Sequence, residues 1–342
     1  MDKAFTVAIV GATGLVGETM VNVLEERDFP VQKLYALASD RSLGRGVNFR
    51  GRSCPVRELA GFDFAQCDFA LFSAGAAVSR EYAPRAVAAG CIVIDNTAEF
   101  RERAEVPLVV PEVNGEALDG FGASGIVANP NCVTIQLVVA LKPLHDEAGL
   151  TRLDVATYQS VSGAGREALE ELARQSIAVL SGKGPAKSAG GAKPIAFDCV
   201  PHIDAFQDNG YTGEEMKIVR ETRWILALPE LSVHVTAVRV AVFYGHSAVV
   251  HLDTARPLSA ARARELLKNA PGVTVLDQPG GSGGYPTAVS EAANRDTVYV
   301  GRIREDLAPD RGLNLWIVAD NIRKGAATNS VQIAETLVRQ RI

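Results

Sequence analysis

Cys132 lies in the stretch IVANPNCVTIQ, where an apolar run meets Asn129, Pro130 and Asn131 and a second apolar run begins at the thiol. Proline between two asparagines turns the chain sharply, and the residues after the cysteine have helical apolar spacing. A thiol at a helix start, with Asn131 as N-cap, feels the positive end of the helix dipole, so its pKa should fall. Magnitude decides the chemistry. A pKa near 8.5 leaves only about 3% thiolate at pH 7, whereas one near 6.5 leaves roughly three quarters. Cys132 is therefore read as a nucleophile. Cys54, Cys67, Cys91 and Cys199 are read as inert, since buried cysteine mostly is.

A second chemical feature is TVAIVGATGLVGETM, which places Gly11, Gly14 and Gly17 between a strand and a helix. Glycine lets the backbone approach a pyrophosphate, and the helix N-terminus adds unpaired N–H groups. The spacing is GxxGxxG rather than GxGxxG, so the reading rests on the motif's place in the first βα turn. The second strand ends in ALASDRSLGR. An acidic residue there receives the ribose 2′-hydroxyl of NAD, and arginine accommodates the 2′-phosphate of NADP. Asp40 and Arg41 pull in opposite directions. A phosphate cradle of Ser39, Arg41 and Ser42, with Asp40 turned away, leans towards NADP.

A thiolate following a nucleotide-binding segment suggests hydride transfer through a thioester, which wants a general acid/base, normally histidine. His145, His202, His234, His246 and His251 are the five available. Spacing alone does not choose among them, but His246 follows Gly245 at a break in a strand and is favoured.

The elements that must position these groups fall into two blocks. The first 130 residues alternate strand and helix signals: FTVAIV then ETMVNVLEER, KLYALAS, DFALFSA, REYAPRAVAAG, then CIVID. Repeated βα units imply a Rossmann-type, doubly wound parallel sheet. After Val133 come a few helices and several long strands, ELSVHVTAVRVAVFYG, SAVVHLDT, TVYVGRIRED and NLWIVADN, which predict an α+β domain with a largely antiparallel sheet. GAATNSVQIAETLVRQ is helical and can return to the first domain. The expected division is 1–131, a nucleotide-binding domain completed by helix 324–342, and 132–323, a catalytic and dimerisation domain. The stretch SGKGPAKSAGGAKP, residues 181–194, has loop composition and no function derivable from it.

The totals bound the rest. A chain of 342 residues with 47% hydrophobic and 22% charged residues is ordinary globular protein. A formal charge of −5 carries no basic footprint, so nucleic acid is not an expected partner. Five scattered cysteines form neither a CxxC pair nor a metal spacing, so no metal is expected. Unpaired thiols fit the reducing cytosol. MDKAFTVAIVGATG reaches the glycine turn before a signal-type apolar core, and the most apolar region is broken by His234, Arg239 and His246. A cytoplasmic protein without a membrane span is expected.

GATGLVG, ASDRSLG, VIDNTAEFR, VPLVVPEVN, NPNCVTIQ, TYQSVSGAG, PHIDAF, GYTGEEMK, GHS, VGRIRED and DNIRKGAATNSVQIAE run in the order seen in aspartate-β-semialdehyde dehydrogenases. The chain resembles that family over nearly its whole length. The resemblance implies NADPH-dependent reduction of β-aspartyl phosphate to the semialdehyde with release of phosphate, a branch point towards lysine, threonine and methionine, on a homodimer. It implies Cys132 as nucleophile, Gln159 orienting the acyl intermediate and His246 as acid/base. Arg239 would fork onto the substrate α-carboxylate and Glu214 would take the α-ammonium. Lys217 and Arg101 would hold the phosphate, with Asn131 also at the substrate. For the cofactor it implies Gly11, Thr13, Gly14, Leu15 and Val16, then Ser39, Arg41 and Ser42, then Ser73 and Gly75. Ser162, Gly163 and Asn321 would border the nicotinamide.

Three tensions accompany this reading. Glu214 and Lys217, three apart on a helix, also suit a routine surface ion pair. Arg239 and His246 are seven apart, which in a straight strand means opposite faces and about 23 Å, so a turn or crossover is predicted around Phe243 to Gly245. Ala241 replaces the family's usual proline before the histidine, and Val133 replaces a small polar residue after the cysteine. The competing readings are an N-acetyl-γ-glutamyl-phosphate reductase, a malonyl-CoA reductase-like enzyme, and a catalytically silent nucleotide-binding scaffold. The first carries an NPGC-like motif, and its acylated amine offers Glu214 no cation.

Overall fold

The computed structural model describes residues 4–184, 193–280, 282–307 and 312–341; most of the loop at 181–193 therefore lies outside the described residues. The chain divides into two compact units, Met1–Asn131 with Gly325–Ile342, and Cys132–Lys324.

In the first unit, strands β1 (Phe5–Val10), β2 (Val31–Ala38), β3 (Gly46–Phe49), β4 (Arg52–Glu58), β5 (Phe69–Phe72), β6 (Ile92–Asp95) and β7 (Ile126–Ala128) form one sheet in the order β3-β4-β2-β1-β5-β6-β7. All pairings are parallel except the β3–β4 hairpin at one edge. The near-continuous apolar runs of β1 and β5 are buried on both faces, as parallel strands covered by helices must be. The helices are α1 (Leu15–Glu26), α2 (Ala76–Ala88) and the short α3 (Pro111–Asn114). This is a Rossmann-like sheet. Its strand order reverses between β1 and β5, and ligands bind outside the strand ends at such a switch point.

The second unit opens on α4 (Cys132–Ala148) and holds strands β8 (Leu150–Gln159), β9 (Cys199–Val200), β10 (Ser232–Val240), β11 (His246–Thr254), β12 (Val273–Val275), β13 (Val298–Glu305) and β14 (Leu313–Ala319). Their order is β12-β13-β14-β11-β8-β10-β9. The β8–β11, β11–β14, β13–β14 and β9–β10 pairs are antiparallel, while β8–β10 and β12–β13 are parallel. Helices α5 (Arg166–Leu180), α6 (Gly213–Ile225) and α7 (Ala260–Asn269) complete this unit. Helix α8 (Thr328–Arg341) belongs to the first unit, where it packs against α1, α3 and β6. Arg27, the C-cap of α1, forks onto Glu335 of α8 at 2.7 and 2.8 Å.

Alternate residues of β8 and β10 are buried, the period of two expected of a sheet covered on one face. In β8 the buried set runs through Leu153, Val155, Thr157 and Gln159. Helix α4 packs on the buried side, against β8, β11, β13 and β14. No helix among the described residues is long and apolar enough to cross a membrane, and no His/Cys/Asp/Glu cluster among them can hold a metal.

Candidate active site

Strand β8 organises the catalytic half of the site. Strand β10 runs parallel along one of its edges, with Arg239 opposite Gln159. Strand β11 runs antiparallel along the other edge, with Ser247 opposite Tyr158. Residues 241–245 therefore cross over the end of β8, and Gly245 takes a left-handed φ of 87° in that bend. Side chains seven positions apart in sequence meet at one strand end. A methyl group added to Gly163 would lie 3.3 Å from the His246 ring and 3.4 Å from Arg239 Nη1, so both flank the same backbone.

Cys132 is the first residue of α4 and is half-buried. The neighbouring turn is anchored within the first unit: Asn129 N–H donates to Asp95 O (2.8 Å), and Asn329 Nδ2 donates to Asn129 Oδ1 (2.7 Å). Asn131, just before the cysteine, is buried. The other thiols differ. Burial pushes Cys67 up to about 12 and raises Cys54 and Cys91 as well, while Cys199 is exposed.

Arg239 Nη1 donates to Ser160 O (2.6 Å). Burial lowers its pKa, and the charges of Cys132 and Glu214 oppose that shift, which places all three groups in one electrostatic neighbourhood. The His246 side chain is completely buried. Burial first, then the Arg239 charge, holds its pKa well below 6.5. Its Nδ1 accepts from the Ser160 N–H (3.1 Å), while its buried Nε2 has no partner among the described residues. Gln159 Nε2 donates to Glu214 Oε1 (3.3 Å). Lys217 lies 2.7 Å from Asp204 and 3.8 Å from Glu214, so it does form ion pairs on its own unit.

Sequence reasoning passed over four residues here. Glu215 is buried, accepts from Thr212 N–H (2.7 Å) and Ala237 N–H (2.9 Å), and so ties the start of α6 to β10. Its signal was present, because TGEE is a Thr-x-x-Glu capping box, and both of its hydrogen bonds form. Ser160 and Asp204 carried no such local signal. Thr157 was readable only as an inward-facing strand residue.

In the first unit, Gly11 directly follows β1 and lies against the backbone of Ser73, which directly follows β5, at the topological switch. A cavity of about 440 Å³ opens there, lined by Gly11, Thr13, Ser39, Asp40 and Ser42 among others. Thr13 and Ser42 hydroxyls bond across it (3.1 Å), and Asp40 Oδ1 accepts the Arg41 N–H (2.8 Å). Arg41 is exposed and does not line the cavity. Leu15 and Val16 begin α1, and Gly75 precedes α2. Ser73 Oγ donates to Val10 O (3.3 Å). Arg101 donates to Asn96 O (2.8 Å) and lies near the buried carboxylate of Asp95. Burial raises the Asp95 pKa, while bonds from Ser79 and Thr97 and the Arg101 charge oppose the rise.

Gly17 shows how tightly this turn is built. A β-carbon there would sit 2.1 Å from Gly11 O and 2.8 Å from Ala12 Cα. Gly17→Ala is expected to push the turn out of shape, weakening dinucleotide binding at least about tenfold and costing roughly 1–3 kcal/mol of stability. Titration calorimetry with nucleotide and a thermal melt check this; unchanged affinity would refute it.

Two family models match the chain: "Semialdehyde dehydrogenase, NAD binding domain" over residues 6–121 and "Semialdehyde dehydrogenase, dimerisation domain" over residues 141–324. An aspartate-semialdehyde dehydrogenase of Legionella pneumophila is 57% identical, covering 99% of this chain and 97% of that protein. One of Bacillus subtilis is 47% identical over 98% of both. The crystal structure of aspartate semialdehyde dehydrogenase II complexed with ASA from Vibrio cholerae superposes with a TM-score of 0.96 at 50% identity, covering 100% of both chains. The Candida albicans enzyme with NADP gives 0.76 at 25% identity, covering 98% of this chain and 99% of that one.

Proposed function

The chain belongs to the aspartate-semialdehyde dehydrogenase family, and from that premise we propose that it reduces β-aspartyl phosphate to aspartate semialdehyde through a thioester on Cys132. The observation that carries this reading is the gathering of a half-buried helix-start thiol, an arginine and a buried neutral imidazole around the end of β8. The Cys132 thiolate attacks the acyl carbon, the bond from that carbon to the phosphate oxygen breaks, and phosphate leaves. Bound NADPH supplies the hydride that reduces the thioester. The alkoxide so formed re-forms its carbonyl, the C–S bond breaks, and the thiolate is restored with release of the aldehyde.

Arg239 matches the substrate α-carboxylate with its planar fork, which Ser160 O holds in place through Nη1. Glu214, buried beside Gln159, suits the α-ammonium. Gln159 holds the acyl oxygen, and Asn131 adjoins the nucleophile. Lys217 and Arg101 supply charge for the phosphate, Lys217 by exchanging its Asp204 partner for the anion. Gly11, Thr13, Gly14, Leu15, Val16, Ser39, Arg41, Ser42, Ser73 and Gly75 would hold the dinucleotide, with Ser162, Gly163 and Asn321 at the nicotinamide. The Gly17 approach and the Thr13–Ser42 pair fit a phosphate-bearing cofactor; since Asp40 lines the cavity and Arg41 does not, the choice of NADP rests on the family and not on this loop.

The reading extends to a cytoplasmic homodimer serving lysine, threonine and methionine synthesis. The open face of the second sheet supports the dimer: Tyr158 and Trp316 pack there at 5.7 Å beside His234, Thr236 and His251. The test is phosphate-dependent NADPH formation from aspartate semialdehyde. Turnover of the acylated glutamate semialdehyde instead would overturn the substrate, and nucleotide binding without turnover of either would favour a silent scaffold.

A further inference from the structure

Asp204 reaches Lys217 from a loop that bends back onto the start of α6. Its backbone adopts a left-handed φ of 69°, a conformation that aspartate tolerates better than most residues. Its Oδ1 accepts the Ala205 N–H (2.8 Å), while Oδ2 accepts from Lys217 Nζ (2.7 Å). The loop closes behind it. Gly213 N–H donates to Ala205 O (2.8 Å), Gln207 N–H donates to Tyr211 O (2.7 Å), and Phe206 bridges Thr212. Gly213 is the first residue of α6, and a β-carbon there would sit 2.7 Å from Asp204 Oδ2 and 2.9 Å from its Cγ. Residues four apart share a helix face. The missing side chain at 213 therefore lets the carboxylate lie over that face and meet Lys217.

We propose that Asp204 is an internal counter-anion of the phosphate subsite: it occupies Lys217 while the subsite is empty, yields the lysine to incoming phosphate, and takes it back as phosphate leaves. This rests on the proposed role of Lys217 in holding phosphate. The pair is built to exchange. The Lys217 and Asp204 side chains keep 30% and 43% of their exposure, and an ion pair so open to water contributes little. The Lys217 hydrogen bond holds the Asp204 carboxyl below its ordinary range, with burial opposing, so the competitor is charged at neutral pH. A phosphate group carries roughly 1.5 to 2 negative charges at pH 7 and several strong acceptor oxygens, enough to take the lysine from one carboxylate. Glu214 lies farther from Nζ, at 3.8 Å, which leaves Asp204 as the partner that phosphate displaces.

Displacing Asp204 costs binding free energy, so the native carboxylate weakens phosphate binding and favours its release. Asparagine at 204 keeps an Oδ1 for the Ala205 N–H and tolerates the left-handed backbone, but it carries no charge. Phosphate should therefore bind that variant more tightly. A purely structural role predicts the opposite sign, because a damaged subsite binds more weakly.

The test is steady-state kinetics on the full chain with inorganic phosphate as the varied substrate. Asp204→Asn should lower the KM for phosphate roughly two- to fivefold, the scale of an exposed ion pair. Product inhibition by phosphate in the reductive direction should strengthen by the same factor. In a Lys217→Met background the same substitution should leave the KM for phosphate unchanged, because the lysine to be released is gone. An unchanged or raised KM in Asp204→Asn, or an equal gain in the Lys217→Met background, would overturn the inference. With phosphate-dependent turnover intact in the wild type, those results remove the role of Asp204 alone. Wild-type turnover that needs no phosphate would remove the phosphate subsite and Asp204's role together.

Discussion

Replacing Cys132 with alanine is expected to lower kcat at least about 10⁴-fold, the scale of losing a covalent nucleophile. The change removes one sulfur from a half-buried helix start and leaves the turn anchored by Asn129 intact. Thermal stability and nucleotide affinity should therefore stay near wild type. A burst of thioester formed from acyl phosphate in the wild type, and absent from Cys132→Ala, measures the step directly. Turnover within a hundredfold of wild type would remove the thioester from the mechanism. Cys67 and Cys91 cannot substitute, because burial makes both poor thiolates.

Replacing Arg239 with leucine should lower kcat/KM roughly 10²- to 10³-fold, the cost of about 3–4 kcal/mol in transition-state binding when a forked carboxylate contact is lost. The direction of a second effect follows from electrostatics. The guanidinium depresses the His246 pKa, so its removal lets that pKa rise towards the ordinary value, while burial still holds it below. The acidic limb of activity should move to higher pH in Arg239→Leu. Arg239→Lys keeps a positive charge but loses the planar fork. It should retain most of the wild-type pH profile while still losing substrate affinity. Steady-state kinetics across pH on both variants separate the two roles; equal behaviour of leucine and lysine variants would refute the fork.

Much of the chemistry was local and so could be read from the chain. The NPNC turn, the glycine-rich βα turn and the capping box at Thr212 each act within a few residues, through backbone conformation and helix ends. The two sheet types were readable too, since a strand buried on both faces is continuously apolar while one covered on a single face alternates. The β3–β4 hairpin at the edge of the first sheet was missed, its strands being short and largely polar. Glu214 and Lys217 showed why spacing alone misleads. They do form the ion pair that helical spacing suggests, yet Lys217's nearer partner is Asp204, thirteen residues away.

The sequence by itself determined which groups exist and which sit at helix starts and strand ends, because those are short-range properties of the backbone. Only the tertiary structure decided which of five histidines meets Arg239, because that depends on two strands lying on opposite edges of β8 and on a chain that bends between them. It likewise decided that His246 is wholly buried with its Nδ1 against the backbone N–H of Ser160, 86 positions earlier, because that strand end is enclosed by segments far apart in the chain.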